Sequence, residues 1–471
     1  MKKKYFIAFS SFFLLPSSVY SQNKGLNVVF IMADDLGLND TGYTGSDFYE
    51  TPNIDKLSEE GMVFTNAYAS AANSAPSRAC FMSGMYTPRH GIFTVSPPDR
   101  GDRTKRKLIP IPNVEDLRKD IPTMGELFKR NGYKCGHVGK WHLGDDEDGT
   151  GPLSRGFDVN VAGGRAGTPY SYYYPYCNDK GMSHIGLEEG KQGEYLTDRL
   201  TDEAVAFIKE AAHGEKPFFL YLAHHAVHTP ITAPKNIVDR YEKKMKGRYH
   251  TNSVYAAMVE TLDNSVGKIC GIIDSLGISD NTIIIFNSDN GGSEPITNNY
   301  TVRGGKGMPY EGGNRVPLIV KWPCVTKAGC TSDCPVNNID FFSTFQMYLE
   351  GKIGDELDGV DIYPLLNNEK SYIERDLFWH FPAYLESYTD NGMGFRAKPY
   401  TSVRSGKWKL IYYYENENAE LFDLDEDPME EHDLSCVNPE ITSVLKRKVF
   451  DWIEKVNAPV PTELNPYYRG I

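Results

Sequence analysis

Positive charge is in short supply. Fifty Lys and Arg face 63 Asp and Glu, a formal net charge of −13. That balance argues against nucleic acid as a partner, though a local basic pocket for a small anion can still sit in an acidic surface. Cysteine is sparse as well, with eight residues at 80, 135, 177, 270, 324, 330, 334 and 436. This is no disulfide-dense scaffold. Cys330 and Cys334 flank a short polar loop, and with Cys324 they leave open one bridge or free thiols. A metal site there is disfavoured because no second ligand pair lies nearby. No apolar run reaches the ~20 residues of a membrane span. Internal repeats and long low-complexity segments are missing too. What remains, 40% hydrophobic residues with dispersed Gly, Pro and aromatics, is the composition of a globular protein with a sizeable core.

The first 21 residues differ from the rest. Lys2, Lys3 and Lys4 precede the apolar run YFIAFSSFFLLP, and the small residues SSVYSQ follow. This pattern predicts a secretory leader cut after Ser21. A lipid-anchored leader would need a Cys at the cleavage site, and the first is Cys80. The expectation is a periplasmic or secreted protein with no membrane insertion once the leader is removed.

Four apolar runs each end in polar chemistry. LNVVFIMADD (26–35) ends at Asp34 and Asp35. YKCGHVGKWHLG (133–144) ends at Lys140 and His142. PFFLYLAHHAVHTP (217–230) ends at His228, and NTIIIFNSDNGG (281–292) at Asp289 and Asn290. Helical patterns alternate with them at 54–62, 123–132, 196–211 and 255–277. Strands alternating with helices predict an α/β fold with a mostly parallel sheet flanked by helices. Sites in such sheets lie at the carboxyl ends of the strands, so all four endings should converge on one edge. After about residue 366 the pattern shifts to strand–turn–strand–turn–strand (402–424) and a helix (441–456), a small antiparallel α+β subdomain. The predicted division is a leader over 1–21, a catalytic α/β domain over 22–366 and a C-terminal subdomain over 367–471.

Asp34, Asp35, Asp289 and Asn290 offer hard oxygen donors, which suit Ca²⁺ or Mg²⁺. NSAPSRACFMSG (73–84) holds Ser74, Ser77 and Cys80 around a Pro and an Arg. Pro76 fits a first helical turn, which places Ser74 at a helix N-terminus that favours anions, with Arg78 as a fixed cation. Lys140 and His142, two apart, would share a face if they lay on a strand. VRGGKGMPYEGGNRVP (302–317) is Gly-rich and carries Lys306 and Arg315, without phosphate-loop spacing. In GGRAGTPYSYYYPY (163–176), tyrosine faces suit stacking on sugar rings, and Arg165 suits a polar substituent. His380 in LFWHFPAY (377–384) is a further candidate substrate contact. The basic, Pro-rich stretch SPPDRGDRTKRKLIPIP reads as an exposed loop near the active edge.

These motifs together resemble the formylglycine-dependent sulfatase family of the alkaline phosphatase superfamily. The signature is matched by Ser74, Pro76, Ser77, Arg78, Met82, Ser83 and Gly84, and the Asp-Asp, Lys-x-His, His-before-Pro, Asp-Asn-Gly and Gly-Lys elements follow in family order. The resemblance spans residues 26 to 424 and implies an alkaline-phosphatase-like fold. It implies that a cytoplasmic maturing enzyme oxidises Ser74 to formylglycine before export. The hydrated aldehyde would then be both nucleophile and metal ligand. Asp34, Asp35, Asp289, Asn290 and residue 74 would hold the metal, usually calcium, with magnesium as the alternative. Arg78 and Lys140 would steady the nucleophile and the sulfate oxygens. His142 would help decompose the sulfated intermediate, and His228 and Lys306 would serve the leaving alcohol. The implied activity is hydrolysis of sulfate monoesters on carbohydrates, with 4-O-sulfated galactose or N-acetylgalactosamine as the expected target. Two rivals stand beside it: a phosphonate or phosphodiester hydrolase of the same superfamily, and a non-catalytic protein that binds sulfated glycans.

Overall fold

The computed structural model of the protein describes residues 25–389 and 394–470. The predicted leader lies outside the described residues. All four predicted strands form, as Asn27–Ala33, Lys134–Gly139, Phe218–Ala223 and Thr282–Ser288. They are mutually parallel neighbours at the centre of an eight-stranded sheet. Val159–Val161 extends one side in parallel, and Leu318–Lys321, Met62–Phe64 and Cys330–Ser332 extend the other.

The alternation of side chains explains why both faces of the sheet are covered. Along Asn27–Ala33, Val28, Phe30 and Met32 enter one core cluster, and Val29, Ile31 and Ala33 enter the other. The first cluster is closed by helices Ser74–Ser83, Met124–Arg130 and Asp340–Glu350. Helices Pro52–Glu60, Leu196–Ala212 and Ser253–Ser275 close the second. Burying each large apolar side chain contributes about 1.5–3 kcal/mol. A one-residue slip would exchange the two faces, so burial fixes the register.

That register sets the site. Ala33 pairs with Ser288, Met32 with Ala223, and Ala223 with Gly139. The four strands therefore end level. The residues that follow them, Asp34, Asp289, His224 and Lys140, leave the sheet along one edge.

The second sheet is antiparallel, in the order Asp376–Phe381, Tyr400–Ser405, Trp408–Tyr413, Asn418–Asp423. Helix Pro439–Lys455 covers one face through Leu445, Val449 and Trp452, and Cys80 joins that cluster from the Ser74–Ser83 helix. The other face packs on Tyr68. Tyr68 Oη donates to Glu311 Oε2 at 2.6 Å, and buried Lys409 pairs with Glu311 at 3.0 Å and Glu430 at 2.9 Å. The small sheet thus buttresses the segment that carries Ser74. The eight cysteines are all free thiols, with Cys334 buried and accepting from Ile373 N at 3.3 Å.

Candidate active site

Ser74 opens the Ser74–Ser83 helix, preceded by Asn73 in extended conformation, and the whole helix is buried. Pro76 occupies its first turn, where a missing N–H costs nothing. Ser74 Oγ lies 3.1 Å from Asp34 Oδ1 and 3.2 Å from Asn290 Oδ1. The other two candidates in the motif point elsewhere. Ser77 Oγ accepts from Asn338 Nδ2 at 2.9 Å. Cys80 Sγ meets His90, and burial pushes its thiol pKa well up, which leaves it inert as a nucleophile.

Each of three buried carboxylates holds one cation. Lys140 Nζ lies 2.7 Å from Asp34 Oδ2, Lys306 Nζ lies 2.7 Å from Asp35 Oδ2, and Arg78 Nε lies 2.8 Å from Asp289 Oδ2. Burial opposes charge on Asp35, but the Lys306 and Lys140 cations outweigh it and hold the carboxyl well below its ordinary range. Burial raises Asp289, helped by Asp34 and Asp35 and opposed by Arg78. Burial likewise lowers Lys140 against the pull of Asp34.

The histidines are held neutral. Burial, then Lys140, Arg78 and Lys306, pull His142 well below its usual value. His228 falls to about 4 through burial and Lys306. Its Nδ1 donates to Thr229 O at 2.7 Å, so Nε2 is left without a proton, 3.6 Å from Asp35 Oδ2. Tyr172 Oη reaches His225 O at 2.7 Å and His228 O at 2.8 Å, which pins this segment. Asp35 and His142 both have left-handed backbones, φ 63° and 64°. Such conformations are costly for residues with a Cβ and cluster at functional sites.

Ser74, Asp35, His142, His228 and Lys306 open onto a cavity of about 270 Å³. Lys140 and His142 reach the site by a route other than the one expected. The strand stops at Gly139, so strand alternation does not align them. Instead Lys140 N donates to Ala223 O at 2.7 Å and His142 N to Gly164 O at 2.9 Å.

The donor set fits a divalent cation. Ser74 has one hydroxyl hydrogen facing two acceptors, Asp34 Oδ1 and Asn290 Oδ1, so one oxygen is left for a cation. Three fixed cations only balance three carboxylates; an anionic substrate needs more positive charge. Donor atoms of Asp34, Asp35 and His228 also lie within 4.8 Å of one another. Hard oxygens suit Ca²⁺ or Mg²⁺, whereas an imidazole would draw the site toward softer metals.

Three expected substrate contacts are not brought together with Ser74. Arg165 is anchored by Asp116 at 2.6 Å and by Asp145 and Asp148 at 2.7 Å, and it lines a separate cavity. Arg315 Nε donates to Thr65 O at 2.9 Å, away from the Ser74 cavity. His380 is buried in the edge strand of the small sheet, 2.7 Å from Thr401 Oγ1 and 3.0 Å from Pro459 O. Tyr172 and Tyr176 are fully buried and offer no face to a sugar. Two arginines on the cavity wall, Arg100 and Arg396, were not singled out from the sequence. The basic loop that carries Arg100 does reach the active edge.

Known proteins resemble this chain in sequence and fold. A sequence profile of the sulfatase family matches residues 26–350, and one for the C-terminal region of N-sulphoglucosamine sulphohydrolase matches 305–455. A sulfatase of Formosa agariphila is 32% identical, covering 93% of this chain and 90% of its own. The N-acetylgalactosamine-6-sulfatase of Rattus norvegicus is 31% identical over 93% of this chain and 87% of its own. The crystal structure of Ps i-CgsB in complex with k-i-k-neocarrahexaose superposes with a TM-score of 0.76 at 30% identity, covering 94% of this chain and 95% of that one. The chain therefore belongs to the sulfatase family and is a sulfuric ester hydrolase.

Proposed function

We propose that the protein is an exported carbohydrate sulfatase that acts through a formylglycine made from Ser74. The observation that carries this reading is the position of Ser74 Oγ, 3.1 Å from Asp34 Oδ1 and 3.2 Å from Asn290 Oδ1, on a cavity shared with His142, His228 and Lys306.

Serine alone would be trapped as a stable sulfate ester. A hydrated formylglycine at position 74 supplies one oxygen to attack sulfur and a second to drive sulfate release. Asp34, Asp35, Asp289, Asn290 and residue 74 would hold a divalent ion, whose charge offsets that of the sulfate oxygens. Arg78 and Lys140 fix the orientation of these ligands. The neutral His142 imidazole takes a proton from the hydroxyl at position 74. The sugar oxygen leaves with the electron pair of the broken S–O bond and takes its proton from Lys306 Nζ. His228 Nε2 lacks a proton in the resting geometry, so it acts as an acceptor for a neighbouring hydroxyl of the sugar and orients the substrate.

The substrate class is supported by relatives named for N-acetylgalactosamine 6-sulfate and by a related structure solved with a neocarrahexaose. Of the features that pointed to 4-O-sulfate, Tyr172, Tyr176 and His380 are buried. Export is supported by the Lys2–Lys4 and apolar leader pattern. Assaying matured protein for sulfate release from 4-O- and 6-O-sulfated galactose and N-acetylgalactosamine tests the reading. Turnover of at least one supports it, and release from none, with residue 74 oxidised, refutes it. Faster cleavage of aryl phosphonate esters than of any sulfate would favour the phosphonate hydrolase instead.

A further inference from the structure

Arg396 stands on the wall of the cavity that holds Ser74, Lys306 and His142. Its guanidinium stacks on Tyr388, 3.7 Å from the ring centroid. A Cβ at Gly307 would lie 3.1 Å from Arg396 Nε and 3.2 Å from Asn73 Oδ1, so the guanidinium lies close to the neighbours of both Lys306 and Ser74. Nε and Nη1 are buried and have no hydrogen-bond partner among the described residues. No carboxylate among the described residues comes within 4.0 Å of it.

Among the described residues this charge is compensated only from a distance. Arg100, on the same cavity wall, repels it and is itself engaged by Glu386 at 2.7 Å. Glu386, then Asp35 and Glu294, act on Arg396 only from longer range, Glu386 being paired with Arg100 and Asp35 with Lys306. Burial, followed by Arg100, pulls Arg396 down to about 10, which still leaves it charged at neutral pH. A desolvated cation without a counter-ion destabilises the free protein. It becomes favourable only when a ligand brings the anion, and a guanidinium matches a planar carboxylate or a sulfate in paired hydrogen bonds.

We propose that Arg396, backed by Arg100, binds a second anionic group of the substrate, a carboxylate or a further sulfate ester, beside the sulfate that is cleaved. This assignment rests on the sulfatase reading of the same cavity. The substrate is then a glycan fragment with at least two negative groups close together.

Calorimetry on protein with an intact, unoxidised Ser74 tests it without turnover, so a failure of catalysis and a failure of this subsite give different results. Three disaccharides are titrated: one monosulfated, one disulfated and one monosulfated with a uronic acid. One of the two dianionic sugars is expected to bind about 10- to 100-fold tighter than the monosulfated one. Which of them does so separates sulfate from carboxylate. Arg396→Gln should remove that preference, and Arg396→Lys should restore part of it. Arg100→Gln should weaken the preference and serves if Arg396→Gln does not fold. Equal binding of all three sugars by the wild type would overturn the proposal, as would a preference that survives both glutamine variants.

Discussion

Lys140 Nζ lies 2.7 Å from Asp34 Oδ2, and both side chains are fully buried. Asp34 Oδ1 faces Ser74 on its other side. One carboxylate thus ties Ser74 to a cation that solvent does not reach. Lys140→Met keeps the length of the side chain and removes its charge. Leaving one member of a buried pair uncompensated costs about 3–5 kcal/mol. Urea unfolding should show a loss of that size together with loss of sulfate release. A loss below about 1 kcal/mol, the scale of an exposed pair, would show that Arg78, 3.8 Å from Asp34, compensates it alone.

Divalent metal should stabilise the fold, because its ligands come from strand ends distant in sequence. At one hundred times its dissociation constant, calcium should add about 2.7 kcal/mol. Thermal melts with chelator and with calcium check this. Asn290→Ala and Asp289→Ala should erase the shift. His228→Ala should keep it if the ligands are all oxygen, and should erase it if the Asp34–Asp35–His228 set binds the ion. Identical melts of the wild type with and without calcium would remove the metal assignment.

His142 depends on a glycine. A Cβ at Gly167 would overlap the His142 imidazole. Gly167→Ala should displace the ring while leaving the sheet core untouched. A misplacement of about 1 Å can cost about 100-fold in rate. Steady-state kinetics should show kcat falling much more than KM rises. An unchanged kcat would mean that the His142 ring position is not critical.

Acid should loosen the C-terminal sheet. Burial pulls His380 down to about 4 from an ordinary value near 6.5. A depressed histidine binds its proton more readily when unfolded. Its contribution is therefore complete above pH ~6.5, declines as pH falls, and is largely lost by pH ~4, a change of about 3 kcal/mol. His90, His137 and His224, each pulled to about 3 by burial, act in the same direction. His380→Asn should flatten the fall in stability between pH 7 and pH 4.5, read by urea unfolding. A slope unchanged by the substitution would contradict the burial argument.

The parallel core and the convergence of the four strand ends were legible because period-2 burial and short apolar runs are local signals. The start of the Ser74–Ser83 helix was legible from Pro76 for the same reason. The roles of Arg165, Arg315 and His380 were not. Their partners, Asp116, Thr65 and Pro459, lie 49, 250 and 79 residues away, and a sequence does not show which distant group will occupy a donor. Arg396 escaped notice for the opposite reason. What distinguishes it is the lack of a partner among the described residues, which only the folded surroundings reveal. The shared strand face expected for Lys140 and His142 does not apply, because the strand stops at Gly139 and backbone hydrogen bonds past its end position both residues.

The most direct measurement pairs peptide mass spectrometry of residues 73–78 with sulfate release from a sulfated N-acetylgalactosamine. Protein is prepared with and without a co-expressed sulfatase-maturing enzyme. The expected result is that matured protein carries a residue 74 lighter by about two hydrogens, an aldehyde in place of an alcohol, and releases sulfate. Unmatured protein should keep serine and release none. Full activity from protein whose residue 74 is still serine would contradict the mechanism.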